Sequence, residues 1–186
     1  MIPILEPAQF PHILGYAIFL SVTLGIPVIV VSLIFLFVLE RIPFPRLQPY
    51  LPAAGAMLML TLSLTMAGGP PTEEEYRQTW AFMMITGFFL YAFLILTPFP
   101  FIRRYLCEYS PYFAVGFTVF ATFFLLACFG FIGGETRMPQ DPDEYRRVSA
   151  MMAMTIAAAM FVTATLVYTG LAALGRGVNR GTVIRE

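Results

Sequence analysis

The sequence predicts an all-α integral membrane protein: one domain over residues 1–186 with five transmembrane helices, its N-terminus outside and its C-terminus inside. Three observations carry that prediction. The chain is 59% hydrophobic and only 12% charged, whereas soluble domains lie near ~25% charged. Its uncharged apolar runs reach or approach the ~18 residues that mark a membrane helix. The breaks between those runs also recur in the same order, which points to a parallel two-helix internal repeat.

The first residues, Met1 to Gln9, carry no positive charge. A cleaved signal peptide needs a basic start, so the first apolar segment is expected to stay in the membrane. That segment spans about residues 10–39 without an ionised side chain inside it. Its length, about 45 Å at ~1.5 Å per residue, exceeds a ~30 Å hydrocarbon core, so it must tilt, bend or protrude. Pro27 lacks a backbone donor and is the natural bend. Ala17, Ser21 and Gly25 stand four residues apart, a spacing that lets a second helix approach closely in lipid.

Glu40-Arg41 ends the first helix, and the proline-rich loop at about residues 40–50 cannot be regular helix. A second, short helix is expected over about 51–67, closed by Gly68-Gly69-Pro70-Pro71. Thr72 and Glu75 form a capping box, and Glu73 and Glu74 suit the positive end of the helix that follows. The third membrane helix is expected over about 80–96, with Trp80 at the interface. A second Pro/Arg loop, about 97–111, leads to a phenylalanine-rich helix over about 112–132, expected to face lipid or a larger neighbour. The fifth helix, about 149–174, carries eight alanines and several threonines and is expected to be the most enclosed. Thr165, Thr169 and Ala173 repeat the four-residue spacing there, and the tail from Gly175 to Glu186 reads as polar, Gly-rich and mobile or partner-bound.

The repeat pairs Pro43-Phe44-Pro45, Gly68-Gly69 and Glu75-Tyr76-Arg77 with Pro98-Phe99-Pro100, Gly133-Gly134 and Glu144-Tyr145-Arg146. Charge sets the direction. Seven of eleven arginines fall on the side of residues 40–50, 97–111 and the C-terminus, and eight of eleven acids fall on the other. A basic excess marks the cytoplasmic side, so the acidic loops at 68–79 and 133–148 are extracytoplasmic.

Chemistry is sparse. No ionisable side chain lies centrally in an expected helix, where proton relays and ion-coupled transport need one. One histidine cannot supply two axial haem ligands. Cys107 and Cys128, at opposite sides of the bilayer, cannot bridge, and no phosphate loop or nucleophile motif is present. His12 is the lone candidate ligand, for a pigment or a quinone head group, against a plain interfacial role. Arg46, Arg103, Arg104, Tyr76, Tyr145 and Trp80 read as lipid-interface residues. Glu73, Glu74, Glu75, Asp141, Asp143 and Glu144 read as a docking surface for an extracytoplasmic partner.

The resulting expectation is a non-catalytic accessory subunit of a larger complex in a bacterial inner membrane. It has no metal site and no cofactor held by its own ligands, with quinone, carotenoid or lipid at its surface. A respiratory or photosynthetic electron-transfer assembly is the host expected from how often such subunits occur there; no residue selects it. The competing reading is a small channel or transporter for a neutral solute, lined by Thr86, Thr118, Thr122, Thr155, Thr163 and Tyr168.

Overall fold

The structure, a computed structural model, describes residues 10–43, 46–66, 73–106, 110–130 and 139–183. Of Phe10, Met66, 73–81, Met83, Arg104 and 176–183 it describes the backbone alone. The described residues form helices only. They are α1 (Phe10–Arg41), α2 (Leu51–Met66), α3 (Glu73–Leu96), a one-turn α4 (Phe99–Ile102) running into a 3₁₀ turn (Arg103–Tyr105), α5 (Pro111–Cys128) and α6 (Pro142–Val183). The glycine pairs at 68–69 and 133–134, Thr72 and Cys107 lie outside the described residues.

Four stretches are long and apolar enough to cross a membrane: Pro11–Arg41, Met84–Ile102, Pro111–Cys128 and Pro142–Gly175. This is a membrane protein by helix length and composition. The fifth helix, α2, has 16 residues, about 24 Å at ~1.5 Å per residue and shorter than a ~30 Å core. α1 runs unbroken through Pro27.

Packing follows shape. Lipid tails are as apolar as leucine, so helices in a bilayer associate through close fit rather than through water exclusion. The main seam joins α1 to α5. On α1 the buried residues Ala17, Ser21, Gly25, Val28, Ser32 and Leu36 step by three or four along one stripe. The sequence-predicted row of Ala17, Ser21 and Gly25 is the N-terminal half of that stripe, and Phe123 of α5 lies 4.0 Å from where a Gly25 β-carbon would stand. α2 packs chiefly on α3, and α5 also packs on α6.

Three expectations are corrected. First, α6 is not the most enclosed helix. Only 17% of its most apolar stretch is buried, against 44% for α5. The phenylalanine count concealed the reason: Phe113, Phe117 and Phe120 are exposed on one face of α5 and line up with Phe124, while Ala114, Val115, Thr118, Val119, Thr122 and Phe123 fill the opposite, buried face. Small and β-branched side chains let α1 and α6 approach from that side. Second, the small-residue row of α6 faces away from the bundle, with Thr169 and Ala173 exposed. Third, helix replaces much of the expected loop and tail. α3 starts at Glu73, where the sequence puts the acidic first turn, well ahead of the span at 80–96, and α6 starts at Pro142 rather than Ser149 and continues to Val183 rather than 174.

The α6 start has a local cause. Asp141 Oδ2 accepts from the Glu144 backbone N–H at 3.3 Å, and Pro142 follows as the first helical residue. An N-cap aspartate followed by proline is a strong helix opening. Past Leu174, propagation adds one hydrogen bond per residue at no new nucleation cost, so the helix outlasts its apolar stretch.

Candidate functional site

Two polar clusters interrupt the apolar bundle. The first lies inside it. A serine or threonine in a membrane helix normally satisfies its hydroxyl by donating to the carbonyl one turn back. Ten side chains here do so: Ser21, Thr23, Thr61, Ser63, Thr65, Thr86, Thr97, Thr155, Thr165 and Thr169. Ser32, Thr118 and Thr122 do not, and each is fully buried. Tyr168 is the fourth such buried hydroxyl: it lies outside regular hydrogen-bond geometry yet close enough to Thr118 to interact with it. Its ring packs 5.8 Å from Phe99.

Register places Ser32, Thr118 and Thr122 at similar depth. Glu40 of α1 is hydrogen-bonded to Tyr112 of α5, which fixes the antiparallel pairing of these helices. Eight residues back from Glu40, Ser32 lies about 12 Å deeper; six and ten residues on from Tyr112, Thr118 and Thr122 lie about 9 and 15 Å deeper. Ser32 is therefore level with the threonines. A buried hydroxyl left unpaired costs about 1–3 kcal/mol, so this cluster lowers stability unless something meets it.

The second cluster closes the end of the bundle where α1 stops and α5 begins. Arg103 Nη2 donates to Glu40 Oε1 at 2.8 Å, and the Tyr112 hydroxyl donates to Glu40 Oε2 at 3.0 Å. Gln48 Nε2 donates to the Ile42 carbonyl at 3.0 Å, pinning the loop between α1 and α2. These groups border a cavity of about 210 Å³ walled by Leu36, Leu39, Pro49, Phe99 and Pro100. Prolines explain the local fold: Pro98 follows the end of α3, and Pro100 sits in the first turn of α4, where proline is tolerated. A smaller cavity of about 150 Å³ lies among α2, α3 and α6, between Ser63, Thr86, Tyr91 and Ala153.

The residues singled out from sequence are dispersed. His12 is exposed on the second turn-position of α1, and no group of three or more His, Cys, Asp or Glu side chains occurs among the described residues. Arg46 is exposed in the α1–α2 loop, while Arg103 joins the Glu40 pair and Arg104 follows it in the 3₁₀ turn. Glu73, Glu74, Glu75, Tyr76 and Trp80 lie on the first two turns of α3. Asp141 caps α6, where Asp143 and Glu144 are exposed and Tyr145 is half-buried. Of the six residues expected to line a solute path, Thr118 and Tyr168 adjoin, and Thr122 is buried one turn along α5 from Thr118. Thr86 and Thr155 bond their own helices, with Thr155 facing out, and Thr163 is half-buried.

Comparison with protein-family models, with curated proteins and with solved structures finds no match.

Glu40, Gln48, Tyr112 and Ser32 were missed as site residues. Glu40 looked like a helix terminator, and with Glu108 also near the arginines at 103 and 104 the sequence does not say which acid pairs with which arginine. Ser32 carried no signal of its own, because only the helix opposite makes its hydroxyl unusual.

Proposed function

We propose that this chain is a non-catalytic accessory subunit of a larger membrane protein complex in a bacterial inner membrane. In this reading all five helices span, α2 with local thinning of the bilayer, and the arginine-rich turns face the cytoplasm. The two Pro-Phe-Pro turns open parallel copies of one two-helix unit, α2–α3 and α5–α6. Supporting the reading is the outer face of α6. Thr155, Ala158, Thr169 and Ala173 are exposed on one side of α6 together with the larger Met151, Val162 and Leu166. The small side chains among them let another helix approach closely in lipid, and among the described residues no helix takes that place.

The host complex of this proposal is of the respiratory or photosynthetic electron-transfer kind. Acidic residues on the first turns of α3 and α6 dock an extracytoplasmic protein, and the phenylalanine face of α5 meets lipid, quinone or carotenoid tails. Blue-native electrophoresis of mild-detergent extracts tests the central claim. The chain is expected to migrate far above its own 20.8 kDa, and Ala158→Phe or Ala173→Phe is expected to release it. Migration as a lone subunit under the mildest extraction overturns the proposal.

The buried hydroxyls supply the one observation that favours a second reading, a path for a neutral solute. The buried hydroxyls of Ser32, Thr118, Thr122 and Tyr168 offer hydrogen bonds to an uncharged guest. Flux of a neutral solute through liposomes that hold the purified chain would support that reading over the first.

A further inference from the structure

We propose that the cavity between α1, the α1–α2 loop and α4 is a binding site for the head group of a zwitterionic aminophospholipid, with the phosphate on Arg103 and the ammonium on Glu40 and Gln48.

The cavity holds both signs of charge at its mouth and an apolar wall behind. Arg103 and Glu40 are partly exposed, at 49% and 29% of their side chains. Leu36, Leu39 and Phe99 form the wall. At about 210 Å³ the space far exceeds what one trapped water needs. It lies at the end of the membrane-spanning helices, where head groups sit, so a lipid enters with its tails still along α1.

Donor and acceptor capacity fits this head group without breaking existing bonds. A guanidinium carries five N–H donors, and the Glu40 bond uses Nη2, which leaves a phosphate its place. A carboxylate accepts at about four lone-pair positions; Arg103 and Tyr112 take one on each oxygen of Glu40. Gln48 donates through its nitrogen, so its oxygen remains an acceptor. A primary ammonium presents three N–H donors to these acceptors.

The charge balance selects against a plain anion. Arg103 is offset by Glu40 at 2.8 Å. Arg41 is turned outward, its guanidinium 4.0 Å above the Phe37 ring, and Arg46 does not border the cavity. An anionic head group without an ammonium therefore gains little net attraction from the Arg103–Glu40 pair.

The test is native mass spectrometry and thermal stabilisation of the delipidated full chain. The probes are phosphatidylethanolamine, phosphatidylcholine, phosphatidylglycerol, cardiolipin and free phosphoethanolamine. Phosphatidylethanolamine is expected to bind about tenfold tighter than phosphatidylcholine, whose ammonium has no N–H, and than phosphatidylglycerol, which has no ammonium; one charge-assisted hydrogen bond is worth that factor. Glu40→Gln is expected to erase the preference, leaving phosphatidylglycerol binding equal or tighter. Arg103→Gln is expected to weaken all the phospholipids. The wild-type lipid series keeps the proposal testable even if a variant fails to fold. Equal binding of phosphatidylethanolamine and phosphatidylcholine, or tighter binding of phosphatidylglycerol or cardiolipin, overturns it. Free phosphoethanolamine binding as tightly as the lipid overturns the membrane as the source.

Discussion

The same substitution at two glycines is expected to move stability in opposite directions. Gly55 sits where α2 crosses α3. A β-carbon there would stand 2.7 Å from Phe93 Cε1 and 2.8 Å from Cδ1 and Cζ, well inside van der Waals contact. The Phe93 ring has little room to retreat, being 6% exposed and set edge-on against Phe35 at 4.3 Å. Forcing a methyl into such a contact costs about 1–3 kcal/mol. Replacing a helical glycine by alanine returns about 1 kcal/mol, so Gly55→Ala should be destabilising by up to ~2 kcal/mol. Gly116 on α5 has nothing within 4 Å of its would-be β-carbon, so Gly116→Ala should be stabilising by about 0.5–1 kcal/mol. Thermal unfolding of both variants in one detergent, followed by circular dichroism, reads the difference. At roughly 2–4 °C per kcal/mol for a chain of this size, the two midpoints should separate by several degrees. Equal midpoints, or a more stable Gly55→Ala, would refute the close approach of α2 to α3.

Tyr168→Phe should change stability by no more than about 1 kcal/mol, because the buried hydroxyl it deletes meets only Thr118, outside regular hydrogen-bond geometry; a loss of more than ~2 kcal/mol in chemical denaturation would show that the hydroxyl is engaged by more than that threonine. A reporter fused after Glu186 should be active only as a cytoplasmic fusion, since seven of eleven arginines lie on that side; periplasmic activity would invert the proposed topology. His12→Ala should leave the visible absorbance of the purified protein unchanged, as the exposed imidazole has no second ligand in a described cluster; a lost absorbance band would restore the pigment reading.

The helical class was legible because apolar length needs no tertiary information. The registers of the helix ends were less so. Asp141-Pro142-Asp143-Glu144 is a complete helix opening, but a reading that tracks hydropathy alone starts α6 only at its first apolar residues. Burial misled for a related reason. In water a polar or alanine-rich face and an aromatic face sort themselves between solvent and core. In lipid both can face outward, so composition cannot say whether the phenylalanines or the alanines are inside. Helical spacing held the answer for α5: Phe113, Phe117, Phe120 and Phe124 lie on one face and Val115, Thr118 and Thr122 on another. The cavity beside Glu40 was not legible, because its partners lie 63 and 72 residues away in the chain.

The contrast between back-bonded and unbonded hydroxyls decides which threonines carry meaning. Thr165 and Thr169 point away from the bundle core, yet each donates within its own helix at 2.7 and 2.9 Å. Lipid or a neighbouring helix can therefore cover them at little cost, and their presence on the α6 surface favours packing without implying a polar route. Thr118 and Thr122 could use the same local carbonyls but leave them unused in the driest part of the molecule. That asymmetry separates the two functional readings: outward hydroxyls that are already satisfied belong to the proposed subunit interface, and inward ones that are not belong to whatever fills or crosses the core. Ser32→Ala on α1 and Tyr168→Phe on α6 should be additive and close to neutral if the core is dry, since α1 and α6 do not pack closely on each other. A guest shared between them would make the pair non-additive, since residues that meet one partner couple by about 0.5–3 kcal/mol.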